Sequence, residues 1–246
     1  MVKTVHAGTL YRTSFENPPF LAGGSLLGVD GWSTSIPPFL NPDAAVITNT
    51  AAKSGLQSVE VLGEDLIGSG GITAPYDAVG SYRKPVGHAI SGNKKLARVD
   101  ADLLLKTSHP KTPGEFFSLT IGAKSGDGEG LGEVGLSSAG IVEAFRNDVA
   151  PGADPAFTKP IRFNKWYHIT MLLDFANRTT SYFIDDHFLG AVPAASASNV
   201  LSRGSMVVYA RPDGGVAGGP GSARSNYTAR FDNFRISVHN AAPDID

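Results

Sequence analysis

Glu129 and Glu133, four residues apart in the run Glu129-Gly130-Leu131-Gly132-Glu133, are the nearest approach in this chain to a catalytic carboxylate pair. On one face of a strand, such spacing can bring a nucleophile and a general acid to the ~5–5.5 Å that a retaining glycosidase needs. Leu131 stands where a central acid would be expected, and two glycines weaken a strand. The sequence therefore predicts a solvated loop there and no hydrolytic pair. The six histidines, at positions 6, 88, 109, 168, 187 and 239, show no spacing typical of metal ligands. No Gly-x-Ser-x-Gly elbow is present to carry a serine nucleophile. Gly68-Ser69-Gly70-Gly71 lacks the Lys-Ser/Thr of a phosphate loop. The chain has no cysteine, which removes disulfides, zinc-thiolate sites and cysteine nucleophiles.

Recognition without turnover has better material. Tyr76-Asp77 and Tyr82-Arg83 set two aromatic rings beside a carboxylate and a guanidinium. Such groups stack on a sugar ring and hydrogen-bond its hydroxyls. Arg211 and Asp213 beside the run PDGGVAGGPG have similar chemistry. Glu16 and Asp232 are hard-oxygen ligands of the kind calcium takes, and both are equally suited to accept from backbone N–H groups. Asp127 and Glu129 form a second acidic pair in the loop SGDGEGLG. The formal net charge of −2 leaves no basic surplus to neutralise phosphates, which argues against nucleic acid. No stretch approaches the ~20 apolar residues of a membrane span, so membrane insertion is not expected. The first residues show no apolar run of ~7–15 residues, so no signal peptide is visible.

The elements that would position these groups read as strands. Tyr167, Ile169, Met171, Leu173 and Phe175 recur every second residue, with His168, Thr170 and Asp174 between them and Leu172 as an apolar exception. That is the period of a strand with one buried face. Ala176-Asn177-Arg178 supplies a turn, Thr179 to Ile184 a β-branched and aromatic run, and Asp185-Asp186-His187 a second turn. A three-strand meander follows. Alternation also predicts strands at Thr9 to Phe15, Ala44 to Thr48, Gln57 to Leu62, Leu96 to Leu105 and Phe116 to Ala123. Glu133 to Leu136 and Gly140 to Phe145 read as a hairpin, and Ser205 to Ala210 and Tyr227 to Val238 as the last strands. Gly63 to Ser91 reads as a mostly irregular excursion with one strand near Tyr82. No helix of 10 or more residues shows a 3.6-residue period. With 29 Gly and 16 Pro, the chain has the composition of many turns between short strands.

The run WYHI, the aspartate ending its strand, the polar turn and SYFIDDHFLG together resemble the concanavalin-A-like lectin/glucanase (laminin-G-like) superfamily. SFENPPF with GVDGW, AAKSGLQSVEV and ARFDNFRIS add to the resemblance. Asp186 stands where that pattern usually has glycine. The resemblance implies an all-β fold, a single jelly-roll β-sandwich of two antiparallel sheets over residues 1–246. It also implies neighbouring first and last strands, a core position for Trp166, and a structural calcium between Glu16 and Asp232. The Arg/Glu/Arg and Gln-x-His motifs of related lyases are not found. The expected function is a non-catalytic carbohydrate-binding or adhesion module, extracellular or at the cell surface, whose partner is a glycan or cell-surface polysaccharide. Its site would be Tyr76, Asp77, Tyr82 and Arg83. The alternative is a structural subunit of an extracellular assembly, filament or virion that self-assembles through edge strands and loops. A glycoside hydrolase or polysaccharide lyase ranks third.

Overall fold

A computed structural model describes residues 8–34, 41–63, 78–91, 95–107, 116–145, 156–194, 196–211 and 227–240. Within them lie fifteen strands. In chain order these are β1 (Gly8–Thr13), β2 (Ser33–Thr34), β3 (Ala45–Thr48), β4 (Ser58–Leu62) and β5 (Ala78–Ala89). Then come β6 (Leu96–Thr107), β7 (Phe116–Ser125), β8 (Gly130–Ser137), β9 (Ile141–Phe145) and β10 (Phe157–Pro160). The last five are β11 (Trp166–Asp174), β12 (Thr179–Ile184), β13 (His187–Pro193), β14 (Val200–Arg211) and β15 (Tyr227–His239). Two antiparallel sheets pack face to face. The eight-stranded sheet runs β13-β12-β11-β6-β15-β4-β3, with β1 also paired to β15. The seven-stranded sheet runs β10-β9-β8-β7-β14-β5-β2.

The core follows from the alternation. Ile169 and Met171 are fully buried, and Tyr167 and Leu173 nearly so, facing the second sheet. Each such side chain contributes roughly 1.5–3 kcal/mol by leaving water. Their partners on β6 are Leu103, Ala101, Val99 and Ala97 in register, all of them buried. Leu172, the apolar exception, has a partner set of its own. It packs with Leu96 and Phe183 on the outer face of the sheet.

Three expectations need correction. Trp166 is half-buried and outside the core. It immediately precedes Tyr167, so strand parity sends its ring to the other face. The excursion at Gly63 to Ser91 holds a twelve-residue strand, β5, which pairs with β14 along its length. Pro85 is tolerated because the β5–β14 register shifts beside it and β2 pairs β5 only at Tyr82 and Arg83. Finally, Gly130 and Gly132 do not break β8. Gly132 has φ 145, and a Cβ there would lie 2.5 Å from the Tyr182 hydroxyl. The glycine thus admits a buried tyrosine across the sandwich, whose hydroxyl donates to the Phe145 carbonyl at 2.7 Å.

Candidate functional site

Because Ala97, Val99 and Ala101 point inward, Arg98, Asp100 and Asp102 must project from the outer face of β6. The β6–β11 register sets His168 opposite Asp102 and Thr170 opposite Asp100. On the other side, β15 brings Arg235 opposite Asp100 after a bulge in which Asn233 adopts φ 50. The result is one connected polar cluster. Arg98 Nε donates to Asp100 Oδ2 at 3.0 Å, and Arg235 Nε to the same oxygen at 3.2 Å. Arg98 Nη2 donates to Thr170 Oγ1 at 3.0 Å and lies 3.1 Å from His168 Nε2. His168 Nδ1 is 3.0 Å from Asp102 Oδ1, and Asn233 Nδ2 donates to Asp102 Oδ2 at 2.7 Å.

This arrangement fixes the imidazole. In the neutral ring, Nδ1–H donates to Asp102 and Nε2 accepts from Arg98. After protonation, Nε2–H faces Asp100 Oδ1 at 3.6 Å. The bond to Asp102 raises the His168 pKa. Burial opposes it, the charges of Asp100 and Asp102 support it, and Arg98 opposes it. Burial pushes the Asp102 carboxyl up, but the bonds from His168 and Asn233 outweigh it and hold the group below its usual range. Arg12, Thr13 and Ser14, which end and follow β1, join Ser54, Asn233, Arg235, Asp100 and His168 around a groove of ≈ 380 Å³. Among the described residues its lining is guanidinium, hydroxyl, amide, imidazole and carboxylate, with no aromatic platform.

Beside the groove sit Glu16 and Asp232, the expected calcium ligands. Both hold one connector, residues 53–57. Glu16 Oε1 accepts from the N–H groups of Leu56 at 2.9 Å and Gln57 at 3.1 Å. Asp232 Oδ2 accepts from Lys53 N at 2.8 Å and Ser54 N at 3.0 Å, and its Oδ1 accepts from Asn233 N at 2.7 Å. The positive ends of these N–H dipoles point at the oxygens a cation would need. Among the described residues, no group of three or more acidic or imidazole side chains converges. Both carboxylates are thus engaged by backbone N–H groups of the connector. Gly55, with φ 67, belongs to the same device, because a Cβ there would run into the Glu16 carboxylate. Asp232 is fully buried, and burial with the nearby Asp102 charge pushes its carboxyl up to about 6 against the three N–H bonds. Asp127, of the second acidic pair, accepts from the hydroxyls of Ser125 and Ser196.

Of the residues expected to bind sugar, only Tyr82 and Arg83 are among the described residues. Tyr76 and Asp77 lie outside the described residues, as does Asp213. Tyr82 is in the core, 1% exposed, so it has no ring face to offer a sugar. Arg83, its neighbour, takes the outer face of the seven-stranded sheet by parity. Glu129 is exposed in the turn before β8. Glu133 is buried on β8 and accepts from Thr120 Oγ1 at 2.5 Å and from the Tyr209 hydroxyl at 3.2 Å.

The groove cluster was missed from sequence. Its signal was the charged complement of an apolar alternation, Arg98-x-Asp100-x-Asp102, facing His168-x-Thr170. Reading it requires knowing that β6 lies between β11 and β15.

No protein-family model matches the chain, and no curated protein matches it. Solved structures do. A carbohydrate esterase from the Shiga toxin-encoding bacteriophage phi24B has TM-score 0.57 and 12% identity, covering 95% of this chain and 99% of that one. The CBM2 module of the evolved Dit of Lactobacillus casei BL23 phage J-1 has TM-score 0.56 and 11% identity, covering 97% and 99%. An endo-beta-1,4-glucuronan lyase from the fungus Trichoderma reesei has TM-score 0.55 and 8% identity, covering 93% and 95%. A sialidase matches over only 17% of its own length. These likenesses show the fold. This chain is an antiparallel β-sandwich. Among the described residues no helix is long and apolar enough to cross a membrane.

Proposed function

We propose that this sandwich is a non-catalytic carbohydrate-binding module of the concanavalin-A-like type, acting outside the cell and taking a glycan in the groove of the eight-stranded sheet. The observation that carries the reading is the mutual fixing of the groove's polar groups. Arg98, Asp100, Asp102, His168, Asn233 and Arg235 hold one another, so little rotamer freedom is left to lose when hydroxyls arrive. The same bonds speak against turnover. Both nitrogens of His168 are engaged by protein groups, and Asp100 already accepts from two guanidiniums. No serine hydroxyl is hydrogen-bonded to His168 among the described residues, as an acyl-transfer dyad would require. Two structural neighbours carry carbohydrate-related names of the enzyme kind, and a third is a CBM2 module. The sandwich alone does not separate enzyme from binder.

Binding of this kind is expected with a Kd on the order of micromolar to millimolar, roughly −4 to −8 kcal/mol. A glycan array followed by calorimetric titration tests it. Arg12→Ala and Arg235→Ala are expected to weaken the best array ligand several-fold. An affinity unchanged in both would sink the groove as the site.

A second reading has its own observation. Phe188 on the edge strand β13 is 60% exposed, and its ring meets Phe183 at 5.4 Å beside Leu96 and Leu172. An apolar patch continuous with an edge strand that has no outer partner among the described residues suits packing against another copy in an assembly. Light scattering behind size exclusion decides. Association reversed by Phe188→Ser supports the structural-subunit reading, and a strict monomer at high concentration rejects it.

A further inference from the structure

The outer face of the seven-stranded sheet carries two guanidiniums that no carboxylate pairs among the described residues. Arg83 on β5 stands in register with Ser205 on β14, and Arg203 lies two residues along β14 on the same face. That makes the arginines diagonal neighbours, with backbones roughly 7–8 Å apart. Both are half-buried. Neither has a carboxylate partner among the described residues, and the buried Nε of Arg83 has no hydrogen-bond acceptor at all. Lys124, opposite Arg203 on β7, adds a third cation to this face. Burial, and then the charge of Arg203, loosen the hold of Arg83 on its proton.

Placing two half-buried guanidiniums together with a donor unmet costs stability. The same row continues from Arg83 through Ser205 and Gly122 to Glu133. Nothing larger than a hydroxymethyl rises between the two charged ends. At ~4.8 Å per strand, those ends are roughly 14 Å apart along the sheet. Glu133 cannot serve as the missing partner, because Thr120 and Tyr209 already hold it.

We propose that Arg83 and Arg203 form a recognition site for the carboxylate of an acidic saccharide, such as a uronic acid unit. A planar two-oxygen anion matches the fork of a guanidinium, and the two half-buried forks lie close enough to share one. The anion follows from this face alone, whereas its saccharide carrier rests on the carbohydrate reading above. The site is on the opposite side of the sandwich from the His168 groove and is separable from it.

The test uses three probes in calorimetric titrations of the whole chain: a galacturonate trisaccharide, its methyl ester and sodium sulfate. The acid is expected to bind at least tenfold more tightly than the ester. Arg83→Ala and Arg203→Ala should each weaken the acid tenfold or more, and Arg83→Lys should recover only part of the loss. The melting temperature of both alanine variants should hold or rise, because a repulsion is removed. Equal affinity for acid and ester, or acid binding indifferent to both alanine variants, overturns the proposal. So does a lack of acid binding, or a fall in melting temperature marking the arginines as structural. Sulfate binding as tightly as the acid would overturn the saccharide assignment. A neutral glycan whose binding depends on Arg235 would establish the groove whatever happens here, so the two readings fail separately.

Discussion

Replacing Glu16 tests whether the 53–57 connector is held by N–H bonds or by a cation. Glu16→Ala removes the acceptor of both Leu56 N and Gln57 N. A hydrogen bond to a charged group is worth about 1.5–3 kcal/mol, which would give up to ~6 for the two. Leu56 is 76% exposed, so water takes over its N–H and most of that share is recovered. Gln57 is buried and its N–H is not so easily rescued. The net loss should be about 2 kcal/mol. For a chain of this size, that lowers the melting temperature by roughly 4–8 °C. Glu16→Gln keeps a carbonyl oxygen in the same place and forfeits only the charge assistance, about 1 kcal/mol. Scanning calorimetry of wild type and both variants, with and without EDTA, reads the outcome. The glutamine variant should fall between wild type and alanine, and chelation should move none of the three. Equal damage from glutamine and alanine, joined by an EDTA-induced fall in wild type, would refute the argument and restore calcium.

Three other expectations concern the same frame. His168 has a raised pKa in the folded chain, so its contribution is full below ~6.5 and is lost as pH rises through that raised value. Asp102 is the reverse, contributing above ~3.9 and losing its share as pH falls through its lowered value. Melting temperature against pH should therefore decline on the alkaline side, and His168→Gln should flatten that limb; an unchanged limb counts against the pairing. Gly55→Ala should destabilise more than the ~1 kcal/mol a strained φ costs alone, because Glu16 must also be displaced. An alanine variant melting like wild type would be inconsistent with the connector geometry. Tyr182→Phe leaves the buried Phe145 carbonyl without its donor and should cost ~1–3 kcal/mol in urea unfolding, with little change in slope.

How far the residues themselves foretold this depended on parity. The inward set of β11 was legible because four apolar side chains alternate with polar ones. Applied one residue earlier, the same parity places Trp166 outside, against the motif-based expectation. Tyr82 and Arg83 carry the same lesson, since adjacent residues of a strand cannot face one ligand. The parity was hidden because Gly80, Pro85 and Gly87 make β5 look irregular, and its order comes from β14, more than a hundred residues later. The polar cluster was hidden for a related reason. Each of its three strands supplies only two or three of the groups, and no local pattern reveals which strands lie side by side. Glu16 and Asp232 were found as a pair, but sequence could not tell a cation from backbone N–H groups as their target.

The position of β15 governs when the molecule can become itself. On one edge it is bonded to β6, and on the other to β4 along its first half and to β1 along its second. Until this strand arrives, β13-β12-β11-β6 and β3-β4 are separate ribbons with bare edges, and β1 has no partner. A chain emerging from the ribosome must therefore wait with open hydrogen-bonding edges, during which stray strands can dock on them. Closure over such sequence distances is slow, since loop entropy is spent before any pairing returns it. The groove forms in the same event, because Asn233 and Arg235 travel with β15. Binding competence and completion of the sheet are thus one step in time.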